Sequence, residues 1–206
     1  SRYADCLGNS VEAAIKKQGG NVVAREKVKA DSQNFTPVLT GIKSKNPDAI
    51  FYAGYYTDGG LIRQQQVALG IKADFIGGDA NDNPDFVKLA GSAAKGAYII
   101  IVPTPEMLPN EVAKNFLADY KAKYGSLPPS IWTIMNADGM RAFIHAMEQN
   151  KSFDTKKAAD YLMNMKQPIP GITGPLQFAK DGNRIGSSYM TFEIQADGKY
   201  KVAHAQ

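Results

Sequence analysis

The sequence predicts an α/β fold built on a parallel sheet. Three observations carry that prediction. The short apolar runs "AIFYA", "ADFIGG" and "GAYIIIVP" lack polar alternation, as strands do when both faces of their sheet are covered. Between them lie stretches whose apolar residues recur at helical spacing. Glycine, proline or asparagine marks the junctions, so strands and helices alternate as in βαβ units.

In order, Leu7, Val11, Ala14 and Ile15 line one face of a first helix, and Gly19-Gly20 is placed to end it in a left-handed cap. "NVVAREKV" reads as a first strand. Thr36 reads as the N-cap of a second helix with Pro37 at its first position. That helix buries Val38, Leu39 and Ile42 and breaks at Asn46-Pro47. After the strand "AIFYA" comes a helix with Leu61, Ile62, Gln65, Ala68 and Leu69 on one face and Gly70 as its cap. The strand "ADFIGG", the helix "NPDFVKLAG" and the strand "GAYIIIVP" complete the alternating part. After Pro103 the pattern changes. A loop, "TPEMLPNE", leads to consecutive helices near 109–124, 131–149 and 155–164, the last with Thr155 as its cap. The remainder reads as strands with turns at Lys180-Asp181-Gly182-Asn183 and Asp197-Gly198.

The 206 residues make room for one large domain or two small ones, and 44% of them are apolar, enough for a substantial core. The net charge of +4 does not point to nucleic acid. Lys and Arg are interleaved with Asp and Glu, as in "LADYKAKYG", which is the pattern of a solvated helix face. Cys6 is the only cysteine, so there is no internal disulfide framework. No apolar run is long enough to span a bilayer.

Ligands of open parallel sheets bind outside the carboxyl ends of the strands. Two such ends stand out: Gly54-Tyr55-Tyr56-Thr57 and Gly77-Gly78-Asp79. Consecutive strands usually neighbour each other, so the two loops should lie side by side. A tyrosine offers a ring face and a hydroxyl, and an aspartate beside glycines can approach a cation closely. Together they suit a ligand carrying an ammonium group. The structural alternative is a tyrosine that fills the sheet edge and an aspartate that caps the next helix, and the pattern alone leaves both open.

Other chemistry is poorly supported. "DANDN" begins like a calcium loop with Asp79, Asn81 and Asn83, but Pro84 and Ala90 stand where Gly and Glu are required. His145 sits among Phe143, Ile144 and Met147 as a packed or surface histidine, and His204 is in the tail. The G-x-S-x-G, P-loop, H-E-x-x-H and G-x-G-x-x-G motifs are absent, and no motif gives Cys6 a histidine partner. Trp132, Met135, Met140 and Phe143 read as core. No catalytic residue, metal site or cofactor is expected.

A run of short segments in order resembles a known family. These are residues 9–79, then "AAKGAYIIIVPTP", "FLADYKAKYGSLPPSIWTIMNADGM" and "GPLQFAKDGNRIGSSYMTFEIQADGKY". They resemble the type I periplasmic binding proteins of ABC importers, above all those for leucine, isoleucine and valine. The resemblance implies flavodoxin-like parallel-sheet lobes, with a nearly complete second lobe and the C-terminal part of the first. Residues 1–103 and 191–206 would form lobe two and 104–190 would contribute to lobe one, with crossings near 102–105 and 190. It implies a periplasmic protein, or an extracellular lipid-anchored one, that closes on a branched-chain or small neutral amino acid and delivers it to permease subunits. The N-terminal lobe of the same protein would be a further partner. Family positions that hold the ammonium group and cover the ligand match Asp79 and Tyr55. Tyr56 and Thr57 adjoin them, and Ser130 matches a position lining the side-chain pocket. A ligand-sensing receptor domain of the same fold, binding an amide or organic acid, is the second function such a chain can serve.

Overall fold

The computed structural model describes residues 1–103, 107, 108, 110–128, 131–186 and 189–204. Ser130 lies outside the described residues, as do Thr104 and Pro105 of the expected crossing near 102–105. The chain divides into two compact units, Ser1–Ile101 with Met190–Gln206, and Val102–Tyr189.

The first unit contains α1 (Arg2–Lys17), α2 (Thr36–Lys43), β1 (Ala49–Tyr52), α3 (Tyr56–Ala68), β2 (Asp74–Gly77), α4 (Pro84–Ala90), β3 (Tyr98–Ile101), β4 (Met190–Ile194) and β5 (Tyr200–His204). One five-stranded sheet runs in the order β1-β2-β3-β4-β5. β1, β2 and β3 are parallel, β4 pairs antiparallel with β3 and β5 antiparallel with β4, so the sheet is mixed. β1 and β2 finish level, with Tyr52 opposite Gly77, and the residues after each strand therefore leave the sheet at one edge.

The helix ends follow local chemistry. Gly19 adopts φ 81°, Gly20 N–H bonds to the Ile15 carbonyl and Gly19 N–H to that of Lys16, a Schellman ending of α1. At α4, the Asn83 side chain accepts from Asp85 N–H, and Pro84 takes the first position, where its missing N–H costs nothing. Two expected caps shift by one residue. Thr36 is inside α2, whose N-cap is Phe35; the Gln65 side chain accepts the Phe35 N–H at 2.7 Å and Asn34 accepts that of Thr36. Likewise Asp154, not Thr155, caps α7, accepting from Lys156 and Lys157. In each case an acceptor one or two residues earlier, or from another helix, satisfies the free N–H groups first.

The core of this unit packs Phe75, Phe86, Ile99, Phe192 and Ile194, all fully buried, with Phe35 and Leu39 at its side. Each contributes about 1.5–3 kcal/mol of burial free energy. The Phe75 and Phe86 rings lie 5.7 Å apart. α3 buries more than the apolar face read from its sequence, because Arg63 and Gln66 also turn inward. Arg63 donates to the carbonyls of Ala93 and Lys95, and Gln66 to that of Ala73 at 2.6 Å. Carbonyls that no ladder uses thus satisfy polar groups that would otherwise be costly to bury.

One expected strand is not formed. "NVVAREKV" runs without a sheet partner. It is held to α1 instead, by Arg25 with Glu12 and Asn9 and by Lys27 with Asp5. A strand exists only through a neighbour, and β1 is paired on one side only, to β2.

The second unit contains α5 (Glu111–Tyr124), α6 (Ile131–Asn150) and α7 (Thr155–Asn164). Among its later described residues the pairing is two isolated antiparallel bridges, Ile169 with Leu176 and Phe178 with Arg184. Asp138, buried in α6, accepts the N–H groups of Ile172 and Thr173 and the Thr173 hydroxyl at 2.6–2.8 Å. Trp132 and Met140, expected in the core, are half or more exposed at 50% and 61%. The buried stripe of α6 is Ile131, Ile134, Asp138, Ala142 and Ala146, which excludes them by helical phase. His145 is half-buried, its Nε2 3.4 Å from the Tyr161 hydroxyl. No helix among the described residues is long and apolar enough to cross a membrane.

Candidate functional site

The site grows out of the level ends of β1 and β2. After β1 the chain passes Gly54 and reaches Tyr55, the N-cap residue of α3, in extended conformation. After β2 it passes Gly78 and reaches Asp79, the first residue of a 3-10 turn, Asp79–Asn81. Gly78 lies close under α1, where a Cβ would stand 3.1 Å from Leu7 Cδ2.

α1 brings in a third side chain. The Tyr3 hydroxyl donates to Asp79 Oδ1 at 2.6 Å, and the Tyr3 ring lies 5.6 Å from that of Tyr55, tilted by 37°. Tyr3 therefore touches both of the residues read from the sequence. Its phenol is pushed above the ordinary tyrosine range, first by burial and then by the Asp79 hydrogen bond and charge. The aspartate's partner is a neutral phenol, so the bond leaves its negative charge uncompensated. That charge also reaches Asp82, whose carboxyl is raised chiefly by desolvation and further by Asp79. The result is a carboxylate joined through the Tyr3 hydroxyl to a pair of adjoining tyrosine rings, a set of groups suited to a cationic ligand by charge and by ring faces.

Two further expected residues adjoin Tyr55. Tyr56 packs against the hydrophobic core, and Thr57 is exposed in the first turn of α3. Asp79, Asn81 and Asn83 do not converge as a calcium loop would. Asp79 receives Tyr3, Asn81 is buried against Gly54, and Asn83 caps α4. No group of three His, Cys, Asp or Glu side chains among the described residues is placed to hold a metal. The sequence did contain a signal for Tyr3. It lies four residues before Leu7 and so heads the apolar stripe of α1.

A second carboxylate lies behind the site. Asp58, in the first turn of α3 and only 6% exposed, accepts the Asp31 N–H at 3.1 Å, and the Tyr52 hydroxyl stands 3.5 Å from its other oxygen. Desolvation raises its pKa, and the nearby Asp31 charge adds to the rise. The Tyr52 phenol is raised in turn by burial and by Asp58.

Comparison with known proteins agrees with this architecture. The family model described as periplasmic binding protein matches residues 3–199. The leucine-specific-binding protein of Salmonella typhimurium is 25% identical over 205 residues, covering 98% of this chain and 53% of that protein. The Leu/Ile/Val-binding protein of Escherichia coli is 28% identical over 202 residues, covering 96% and 52%. Among solved structures, a leucine binding protein of Thermotoga maritima superposes with a TM-score of 0.84 at 28% identity, covering 98% of this chain and 56% of that one. The branched-chain amino acid transporter substrate binding protein LivJ of Streptococcus pneumoniae, in complex with isoleucine, gives 0.75 at 28% identity with the same coverage. The chain spans about half the length of the curated relatives it matches. With its βα-built sheet and a family match along nearly its whole length, the chain belongs to the type I periplasmic binding proteins.

Proposed function

We propose that this chain is part of the extracytoplasmic substrate-binding component of an ABC importer, and that its ligand is a branched-chain or other small neutral amino acid. The observation that carries the reading is that Tyr3 links the Asp79 carboxylate to the Tyr55 ring, two groups that follow the ends of adjacent strands. Asp79 takes the ligand's α-ammonium group, and the two rings cover it. Tyr56, Thr57 and Ser130 are the further candidate lining residues. In the whole protein, residues 1–103 and 191–206 form one lobe and 104–190 contribute to the other. The ligand's carboxylate is held by chain beyond these 206 residues, and the loaded protein is recognised by permease subunits. The reading gains support from relatives named for leucine, isoleucine and valine binding and from the isoleucine complex of the Streptococcus protein. No bond is made or broken; binding shifts the population of a two-lobed protein toward its closed form.

Calorimetric titration of the chain with leucine, valine and N-acetyl-leucine tests it. Leucine and valine should bind weakly, because only part of the ligand's polar contacts is present. Asp79→Ala should remove that binding, and N-acetyl-leucine, which has no ammonium group, should give none. Equal binding of the acetylated compound, or binding unaffected by Asp79→Ala, refutes the reading.

A further inference from the structure

We infer that Asn81 is the positioning residue of this site, the side chain that sets the spacing between the loops carrying Tyr55 and Asp79. Asn81 is fully buried. Its Nδ2 donates to the Gly54 carbonyl at 3.0 Å and to the Gly78 carbonyl at 3.4 Å. Gly54 immediately precedes Tyr55, and Gly78 immediately precedes Asp79. One amide group therefore grips both loops, one residue before each site side chain. The ladder cannot do this, since its last pair between these strands is Tyr52 with Gly77.

The surrounding sequence makes room for that amide. A Cβ on Gly59 would stand 2.1 Å from Asn81 Oδ1, and one on Gly77 would stand 3.0 Å from Asn81 Cβ and Cγ. Asn81 Oδ1 is itself buried with no hydrogen-bond partner among the described residues. A buried acceptor left unpaired is destabilising, so stability alone does not favour asparagine here. Its donor accounts for its presence. Tyr3 can reach the Asp79 carboxylate and the Tyr55 ring together only while the two loops keep their separation.

The geometric part of the inference is independent of the ligand; its functional meaning rests on the reading of this patch as an amino-acid site. The test accordingly uses the 206-residue chain without ligand. Asn81→Ala deletes the grip. Asn81→Asp keeps the volume but replaces the donor by an acceptor. Gly59→Ala leaves Asn81 intact and displaces it from the far side. NMR follows the nuclear Overhauser contacts between the Tyr3 and Tyr55 rings and the Tyr3 Cζ resonance, with Asp79→Ala as the reference for a Tyr3 hydroxyl that has lost its acceptor. Folding is checked by the Phe75–Phe86 ring contacts, and Ile62→Val serves as a destabilised control away from the loops. All three variants should fold, lose the Tyr3–Tyr55 contacts and move Tyr3 Cζ to its value in Asp79→Ala, while Ile62→Val leaves both unchanged. Folded Asn81 variants that keep the parent Tyr3 signals overturn the inference. Global unfolding of all three also overturns it, because Asn81 would then hold the fold rather than the site. Since no amino acid is added, this outcome is separable from that of the calorimetric test.

Discussion

Gly60 lies where α3 meets α4, and replacing it by alanine sets two effects of known size against each other. Alanine favours an exposed helix interior over glycine by about 0.8–1.0 kcal/mol. Here, however, the new Cβ would stand 2.7 Å from Leu89 Cβ and 2.9 Å from the Phe86 carbonyl oxygen. Ordinary carbon–carbon contact is about 3.5–4.0 Å, so α4 must retreat by about 1 Å. Both neighbours belong to the backbone or its first carbon, so no side-chain rotation relieves the clash. The retreat also draws Phe86 away from Phe75. Overpacking of this kind costs about 1–3 kcal/mol; set against the propensity gain, a net effect between about zero and a loss of about 2 kcal/mol follows for Gly60→Ala. At about 2–4 °C per kcal/mol for a chain of this size, Tm should fall by up to about 8 °C, and in any case should not rise as it does in the control. The control is the same substitution at Gly41 in α2 or Gly139 in α6, where a Cβ meets nothing within 4 Å. There the propensity term stands alone and should stabilise by about 0.5–1 kcal/mol. Thermal unfolding followed by circular dichroism reads all three. If Gly60→Ala is as stabilising as Gly41→Ala, the close α3–α4 approach is refuted.

Asp58→Asn should stabilise the chain near neutral pH, because the folded-state pKa of this carboxyl is raised by burial. A raised carboxyl favours folding at low pH and loses that contribution as pH climbs through its folded value. The stabilisation should therefore vanish below about pH 4, the ordinary aspartate range; denaturant midpoints at pH 3.5 and 7 decide it, and an equal difference at both refutes the assignment. Tyr52 and Tyr200 are both pushed above the ordinary range, first by burial and then by their aspartates, Asp58 and Asp82. Unfolded tyrosines titrate near pH 10, so stability should fall from about that pH upward, and Tyr200→Phe should blunt the fall. An unchanged alkaline transition in that variant would count against the Tyr200–Asp82 contact.

How much of this was legible in the sequence depended on how local each determinant was. The three parallel strands were readable because short unbroken apolar runs, bounded by glycine, proline or asparagine, are a local signal, although their burial proves uneven, with no residue of β1 fully buried. The ending of α1 was readable because Gly19 needs only its own φ. "NVVAREKV" has the composition of a strand, but its state depends on a neighbour that its own residues cannot announce. Tyr55 and Asp79 were found by a rule about strand ends. Tyr3 was not, since its hydrogen bond to Asp79 spans 76 residues and only the phase of α1 hinted at it. Asn81 was misleading for a related reason. Its alternation with Asp79 and Asn83 imitates a cation loop, whereas its actual partners are the two carbonyls on either side of the strand ends.

The pairing of β3 with β4 has a consequence for synthesis. Ile101 pairs with Met190, and the whole of the second unit lies between them along the chain. While a ribosome makes this protein, β3 emerges well before β4, and it then waits with one edge bare until β4 and β5 leave the exit tunnel. Throughout that interval, the apolar run Tyr98–Ile101 is open to any other strand that meets it. The yield of soluble protein should therefore respond to the speed at which the β4–β5 pair is delivered, and a nascent chain stalled before Met190 should be the form that chaperones hold.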